Sequence, residues 1–274
     1  MAAVHRLLDP AAGMEVNPGL CALAVMTKAP RAGQVKTRLT PPLTPPEAAA
    51  LNVCFLRDTA AAIFAAISEG SAAGVAAYTP VGAESAWADI LPVQFQLIAQ
   101  RGDGFDERLI HAVEDLLAVG FTAVCLIDSD SPTVPLHAYQ QAVALLTKPG
   151  DRLVLGPSDD GGYYLIGMKR LHRRVFEEID WSTERVAQQT KERAAEIGLA
   201  VELLPTCFDV DDRATLRRLC AELLGDKPAT AGYPAPHTKA FLTDLMAREG
   251  RERIWPRNAA NSTLPTVRFP ELPK

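Results

Sequence analysis

The sequence has few cysteines, few aromatic residues and no excess of positive charge. Its five cysteines occur in 274 residues without a C-x-x-C pair, so the spacing indicates neither a disulfide framework nor a zinc site. Aromatic residues make up 6% of the chain and the formal net charge is -5, which leaves no broad basic surface for a nucleic-acid backbone. Nucleic acid is therefore not expected as a partner, and any phosphate must meet a local group of cations.

Targeting and membrane-spanning signals are also missing. Residues 1–19 lack the basic segment followed by an apolar segment that forms a signal peptide, and no apolar run reaches about 18 residues. With 48% hydrophobic residues, the chain has enough apolar surface for one large or two small globular domains. We expect a cytoplasmic protein without a membrane span.

Apolar runs of strand length alternate with segments of helical periodicity. The runs at 20–26 and 122–127 show no polar alternation, as is typical of central parallel strands covered on both faces. The remaining predicted strands are 74–79, 95–99, 152–155, 163–168 and 200–204, and the predicted helices are 47–67, 84–90, 105–119, 136–146, 183–197 and 213–224. This order predicts a Rossmann-like α/β fold: a mostly parallel sheet flanked by helices on both faces, with three α/β/α layers.

The composition predicts three parts. We expect an N-terminal extension at 1–19, an α/β domain at 20–225, and a C-terminal part at 226–274 with a helix near 237–249 and a proline-rich tail. Two roles stay open for this last part, since it can cover a substrate site or join two subunits as a homodimer.

A basic loop follows the first predicted strand of the domain. Lys28, Arg31, Lys36 and Arg38 lie there beside Gly33, and forked arginines with point-charge lysines suit a diphosphate. The loop matches neither a Walker A motif nor G-x-G-x-x-G. A solvated basic turn is the alternative.

Acidic residues follow two other predicted strands. Asp128 and Asp130 leave the strand at 122–127, a spacing that lets at least one carboxylate reach a hard cation such as Mg²⁺ or Mn²⁺. Aspartate before proline also forms local turns and helix caps. Asp209, Asp211 and Asp212 precede the helix at 213–224. Asp211 or Asp212 either caps this helix or contributes a second time to the metal site.

A third acidic segment contains two consecutive glycines. Asp159 and Asp160 precede Gly161, Gly162 and Tyr163, and the glycines permit close approach of a ligand. Asp160 is the candidate general base or substrate-orienting group. The alternative is a tight hairpin loop with solvated acids.

Together these blocks resemble the DUF2064 family, which is glycosyltransferase-like. The resemblance extends from about residue 20 to 224 and implies the GT-A fold, a nucleotide-diphospho-sugar and Mg²⁺ or Mn²⁺. It implies that Asp130 is the metal-binding acid and that Asp209 and Asp211 close the metal site. Similar sequences often have glycine at the position of Asp128, so this residue is either a further metal ligand or a local variation. The implied phosphate-binding residues are Lys28, Arg31, Lys36 and Arg38, and we add Gly33 of the same loop. The implied acceptor side consists of Asp160, Gly161 and Gly162, and we also assign Asp159, Tyr163 and Asp209 to it.

Three functions remain open from the sequence. The first is a metal-dependent glycosyltransferase that moves a sugar from a nucleotide-diphospho-sugar to a small-molecule acceptor. The second is a nucleotidyltransferase that couples a nucleoside triphosphate to a phosphorylated small molecule and releases pyrophosphate. The third is a nucleotide-binding protein without catalysis, because fold and function separate readily.

Overall fold

A computed structural model describes residues 5–14, 16–67, 70–225 and 232–256. Eight strands form one sheet in the order β1-β4-β3-β2-β5-β7-β6-β8. The strands are β1 (Arg6–Leu7), β2 (Cys21–Lys28), β3 (Ala72–Thr79), β4 (Gln96–Ala99), β5 (Ala123–Ile127), β6 (Leu153–Pro157), β7 (Tyr163–Met168) and β8 (Val201–Leu203). The helices are α1 (Pro45–Ala66), α2 (Phe105–Ala118), α3 (Leu136–Thr147), α4 (Val186–Glu196), α5 (Arg213–Leu224), α6 (Pro236–Glu249) and α7 (Arg251–Ile254).

Both faces of the sheet are buried. Along β2, Cys21, Leu23 and Val25 pack on the side of α1 and α3. The alternate residues Ala22 and Ala24 pack on the side of α2 and α4. Successive side chains of a strand point to opposite faces, so a strand without polar residues requires helices on both sides. The predicted three-layer, mostly parallel α/β fold is confirmed.

The sheet departs from parallel pairing at β7. This strand runs antiparallel to both neighbours, β5 and β6, and the short turn at 158–162 joins it to β6. A turn of this length closes an antiparallel pair, whereas a parallel pair needs a long crossover. The N-terminal segment contributes the edge strand β1, which pairs with β4, and the short helix predicted at 84–90 is a 3₁₀ turn at Glu84–Trp87.

Helix α1 is the central packing element on its side of the sheet. Its length and mean hydropathy of 1.4 match those of a membrane span, but 67% of that stretch is buried inside the protein, as in a core helix. Leu51 and Phe55 of α1 pack with Leu242 and Leu245 of α6. The buried Asp58 accepts hydrogen bonds from the backbone N–H groups of His237 (3.0 Å) and Thr238 (2.7 Å), which binds the first turn of α6 to α1.

Candidate active site

The basic loop leaves the carboxyl end of β2 and changes direction through two residues with positive φ. Gly33 has φ of 75° and Lys36 has φ of 50°. A left-handed conformation costs a lysine about 1–2 kcal/mol, so other contacts must hold it. A 3₁₀ turn, Thr37–Leu39, follows and buries Leu39.

The contacts that hold Lys36 are ionic. Its ammonium lies 2.9 Å from Oδ1 of Asp130 and 2.9 Å from Oδ1 of Asp211, and it donates to the carbonyl oxygen of Val210 at 2.8 Å. Only 5% of the Lys36 side chain is exposed. Burial disfavours the charged ammonium, but the two carboxylates outweigh this effect and raise the pKa of Lys36 above its usual value. Lys36 is therefore a buried cation between two acids.

A backbone contact brings the two acids together from distant parts of the sequence. The N–H of Val210 donates to the carbonyl oxygen of Asp130 at 3.0 Å. The following Asp212 caps α5 by accepting from the N–H of Thr215 at 2.8 Å. The sequence left helix capping and a place in the metal site as alternatives for this acidic segment. In the structure Asp212 is the helix cap, and Asp211 faces Lys36.

These side chains line a cavity of about 280 Å³, which we call the basic cavity. Lys28 and Arg38 lie in its wall with Lys36, whereas the exposed Arg31 and Gly33 lie outside it. Asn52 of α1, which the sequence analysis missed, is buried and contributes to the wall. A polar residue among the apolar positions of α1 was the available signal. The lining residues are Lys28, Val35, Lys36, Thr37, Arg38, Asn52, Ser129, Asp130 and Asp211.

Asp128 lies apart from this cavity. Its carboxylate accepts from the hydroxyl of Ser131 at 2.7 Å, and the residue lines a small, mostly apolar cavity with Phe105 and Tyr163. Burial and the nearby charge of Asp130 raise the pKa of Asp128 well above its usual value. Asp128 is not among the residues that line the basic cavity, and its assignment as a metal ligand stays a prediction.

A second cavity, of about 340 Å³, adjoins the basic cavity and shares Arg38 and Asp211 with it. We call it the aromatic cavity because Phe105 and Trp181 lie in its wall, and the sequence analysis missed both. Of the predicted acceptor-side residues it contains Asp160, Gly162 and Tyr163. The full lining consists of Arg38, Phe105, Asp160, Gly162, Tyr163, Trp181, Ser182, Thr183, Glu184, Val186 and Asp211.

The turn between β6 and β7 fixes one wall of the aromatic cavity. Gly161 has φ of 93°, and a Cβ atom there would lie 2.0 Å from the carbonyl oxygen of Glu184. The Gly161 carbonyl accepts from the N–H of Ala187 at 2.8 Å. Asp160 accepts from the N–H of Gly162 at 2.8 Å. Asp159, by contrast, forms an ion pair with Arg218 of α5 and lies outside the cavity.

Asp209 lies between the two groups of acids. It is half-buried, and burial together with the charges of Asp160 and Asp211 raises the pKa of Asp209 to about 6. The carboxylates of Asp160, Asp209 and Asp211 are therefore close enough to repel one another, and a nearby positive charge stabilises them. Lys36 supplies one such charge.

The carboxylates of Asp130 and Asp211 fit a divalent metal whose remaining ligands come from water and from a bound phosphate. Within the described residues, no group of three or more His, Cys, Asp or Glu side chains is arranged to bind a metal. Asp130 and Asp211 nevertheless offer hard oxygen ligands, and their side chains are 31% and 42% exposed at the basic cavity. Magnesium is commonly bound by one or two carboxylates, with water and phosphate oxygens completing the shell. Two carboxylates beside a basic cavity match that pattern.

Comparison with solved structures gives a close match in fold. A protein from Desulfovibrio desulfuricans G20, provisionally described as a nucleotide-diphospho-sugar transferase, is 29% identical with a TM-score of 0.69, and the match covers 85% of this chain and 99% of that chain. The mannosyltransferase PcManGT from Pyrobaculum calidifontis, in complex with GDP-Man and Mn²⁺, is 15% identical with a TM-score of 0.42, covering 88% and 77%. This second match is distant and does not bear on the chemistry of the chain.

Comparison with sequences gives one family. No curated protein matches the chain. The family DUF2064, described as an uncharacterized protein conserved in bacteria, matches residues 62–183. That segment contains Asp130 and the turn with Asp160 but excludes the basic loop. The predicted resemblance of the chain to the DUF2064 family is confirmed.

Proposed function

We propose that the protein is a metal-dependent glycosyltransferase that transfers a sugar from a nucleotide-diphospho-sugar to a small-molecule acceptor. The observation that carries the proposal is the basic cavity, where Lys28, Lys36 and Arg38 meet the carboxylates of Asp130 and Asp211. Similarity over 85% of the chain to a protein provisionally described as a nucleotide-diphospho-sugar transferase supports a transferase that uses a nucleotide.

In this proposal the basic cavity holds the diphosphate. Lys28 and Arg38 are exposed at the cavity wall and supply positive charge to phosphate oxygens. Asp130 and Asp211 would hold Mg²⁺ or Mn²⁺, which when bound offsets the charge that develops on the departing diphosphate. The cavity lies at the carboxyl ends of β2 and β5, the position at which open α/β sheets bind ligands.

The aromatic cavity holds the acceptor. A hydroxyl oxygen of the acceptor forms a bond to the anomeric carbon of the sugar. The bond from that carbon to the diphosphate oxygen breaks, and its electron pair stays on the diphosphate. Asp160 takes the hydroxyl proton as general base. Arg38 and Asp211 line both cavities, so the attacking oxygen and the leaving diphosphate meet at their shared wall.

Ligand binding tests the first part of the proposal. We expect nucleoside diphosphates and nucleotide sugars to raise the unfolding temperature more with Mn²⁺ than without it, because a ligand that binds the native state stabilises it by mass action. Mn²⁺ alone and nucleotide with EDTA are the controls. A nucleotide response that is the same with and without Mn²⁺ would count against the metal site.

The released product tests the reaction class. A glycosyltransferase releases a nucleoside diphosphate, whereas a nucleotidyltransferase given a triphosphate releases pyrophosphate. We expect Asp160→Asn to reduce transfer by about 10²–10⁴-fold, the usual contribution of a general base, and to retain nucleotide binding. Asp159→Asn is the matched comparison, since Asp159 pairs with Arg218 and should retain most transfer. Full transfer by Asp160→Asn would refute the role of this carboxylate.

A further inference from the structure

We propose that the aromatic cavity recognises an uncharged, polyhydroxylated ring of the pyranose class. The ring packs an apolar face on Trp181 and Phe105 and directs hydroxyl groups to the surrounding carboxylates. Its role as the acceptor rests on the proposed function, whereas its binding can be tested without turnover.

The aromatic wall is the first support. Phe105 is 56% exposed, although it is the first residue of α2 and could pack inward. It meets Trp181 edge to plane, with ring centroids 5.0 Å apart and planes at 80°. Because the two rings already contact each other, they present a continuous wall and leave no slot between them for a flat base. The C–H-rich face of a sugar ring gains free energy by leaving water against such a wall.

Charge is the second support and selects against phosphorylated ligands. Apart from the proposed metal ligand Asp211, the carboxylates of Asp160 and Glu184 line the cavity, and Arg38 is the one cation in its lining. Arg38 lies 3.5 Å from Asp211, so part of its charge is already offset. Carboxylates accept hydrogen bonds from hydroxyl groups and repel a second phosphate. The surplus of acids therefore favours a neutral polyol over a sugar phosphate.

The shape of the cavity is the third support. Its volume of about 340 Å³ falls within the range of roughly 300–1,000 Å³ that is usual for small-molecule sites. The contact of Gly161 with Glu184 and Ala187 joins the β6–β7 turn to the segment before α4. Ser182, beside Trp181, has φ of 64°, an uncommon conformation that often marks a binding site. The two walls are thus joined by direct backbone contact.

Saturation-transfer NMR on the full-length protein tests this recognition. The probes are methyl glucopyranoside, methyl galactopyranoside and methyl mannopyranoside, with glucose 6-phosphate as the charged counterpart and uridine as a neutral nucleoside. We expect signals from at least one neutral pyranoside that exceed those from glucose 6-phosphate, and no competition by uridine. Trp181→Ala and Phe105→Ala should each weaken binding of that pyranoside by at least several-fold.

Controls separate a local effect from loss of the fold. Phe64→Ala removes another exposed phenylalanine, 46% exposed on α1, and should leave pyranoside binding unchanged. Phe105→Ala keeps the test valid even if Trp181→Ala unfolds, because Phe105 is mostly exposed. Nucleotide with Mn²⁺ is measured on the same samples and should stabilise every folded variant.

Each outcome has a defined meaning. The inference would be overturned by the absence of any pyranoside signal, by wild-type pyranoside binding in the Phe105→Ala and Trp181→Ala variants, or by stronger binding of glucose 6-phosphate. Competition by uridine would assign the cavity to the nucleobase and would also overturn it. If nucleotides with Mn²⁺ still stabilise the protein in those cases, the proposed function survives. Loss of the nucleotide response alone contradicts the proposed function and leaves ring recognition standing.

Discussion

Lys36 has the position that a cation shared by Asp130 and Asp211 would need. Both carboxylates place one oxygen 2.9 Å from its ammonium, and a metal bound by the same two oxygens would have to displace it. The lysine offsets the repulsion between the acids when no other cation is bound, and it competes with the metal. Removal of the lysine should therefore strengthen binding of the metal alone and weaken binding of the nucleotide.

We predict that Lys36→Met strengthens Mn²⁺ binding in the absence of nucleotide, on the order of 10-fold or about 1.4 kcal/mol, because the competing ammonium is gone. Nucleotide binding should weaken, since a positive charge at the diphosphate is lost. Electron paramagnetic resonance of free Mn²⁺ measures the first effect and thermal shift the second. Lys28→Met is the matched control, because Lys28 is exposed in the same cavity. Its loss should weaken nucleotide binding and leave the affinity for Mn²⁺ without nucleotide nearly unchanged. Unchanged Mn²⁺ affinity in Lys36→Met would contradict the competition.

Gly161 and Gly33 allow a matched comparison of two glycines with positive φ. Alanine at Gly33 has no heavy atom within 4 Å of its Cβ atom, whereas at Gly161 the Cβ atom would lie 2.0 Å from the Glu184 carbonyl oxygen. We expect Gly33→Ala to cost about 1–2 kcal/mol for the conformation alone and Gly161→Ala to cost more, because the backbone must also move. Urea denaturation measures both. Equal costs would show that the β6–β7 turn shifts freely.

The sequence predicted residue types at this site better than it predicted their partners. Asp130, Asp160, Lys28, Lys36 and Arg38 all line one of the two cavities, as expected from strand ends that meet at one edge. The pairing of Lys36 with two acids depends on how the loop folds back, which spacing does not determine. The same limit applies to Asp211 and Asp212, because their positions in the sequence do not determine which of them caps α5.

At the scale of elements, the start of α1 is bound to the C-terminal helices. Glu47 accepts from the N–H of Thr44 at 2.8 Å in a capping box, and it forms an ion pair with Arg253 of α7. Its side chain is 18% exposed. Burial opposes ionisation, but the hydrogen bonds from Arg253 and Thr44 outweigh it and lower the pKa of Glu47 below its usual value.

A lowered pKa gives a defined dependence of stability on pH. The carboxylate of Glu47 stabilises the fold above its unfolded pKa of 4.5, and this contribution is lost as the pH falls through the lower folded value. We expect Glu47→Gln to cost about 1 kcal/mol at pH 7 and the difference from wild type to shrink below pH 4.5. Urea denaturation across this range measures it. Glu249→Gln removes the more exposed partner of Arg253 and should cost no more than about 0.5 kcal/mol. A cost for Glu47→Gln that persists in acid would contradict the ionic origin.

Element positions were mostly predictable because core residues repeat with the period of each structure. The predicted helix 105–119 and strand 163–168 agree closely with α2 and β7. The periodicity of the side chains does not determine the direction of β7, because it is the same in parallel and antiparallel strands. The short 158–162 turn did contain that information, since only antiparallel strands are joined so briefly. Two-residue strands such as β1 are too short for any pattern.

At the scale of the whole molecule, the fold class followed from the sequence because alternating strands and helices allow few arrangements. The predicted boundary at 225 is a different matter and stays a prediction. Leu242 and Leu245 of α6 are buried in the same apolar cluster as Phe55 of α1, and Asp58 binds the first turn of α6. Composition changes at this point in the chain, but packing against the domain does not stop there.

Truncation therefore tests whether the domain is complete at 225. A chain that ends at Gly225 would expose Leu51 and Phe55 to water and leave the buried carboxylate of Asp58 without its N–H partners. Exposure of such side chains costs about 1.5–3 kcal/mol each. This is a large part of the free energy of unfolding of a domain, which is usually about 5–15 kcal/mol. We expect this chain to aggregate or to lose its cooperative transition. A chain that ends at Pro256 keeps α6 and α7 and should unfold cooperatively in urea. Cooperative unfolding of the shorter chain at a similar midpoint would instead show that the core is complete without α6.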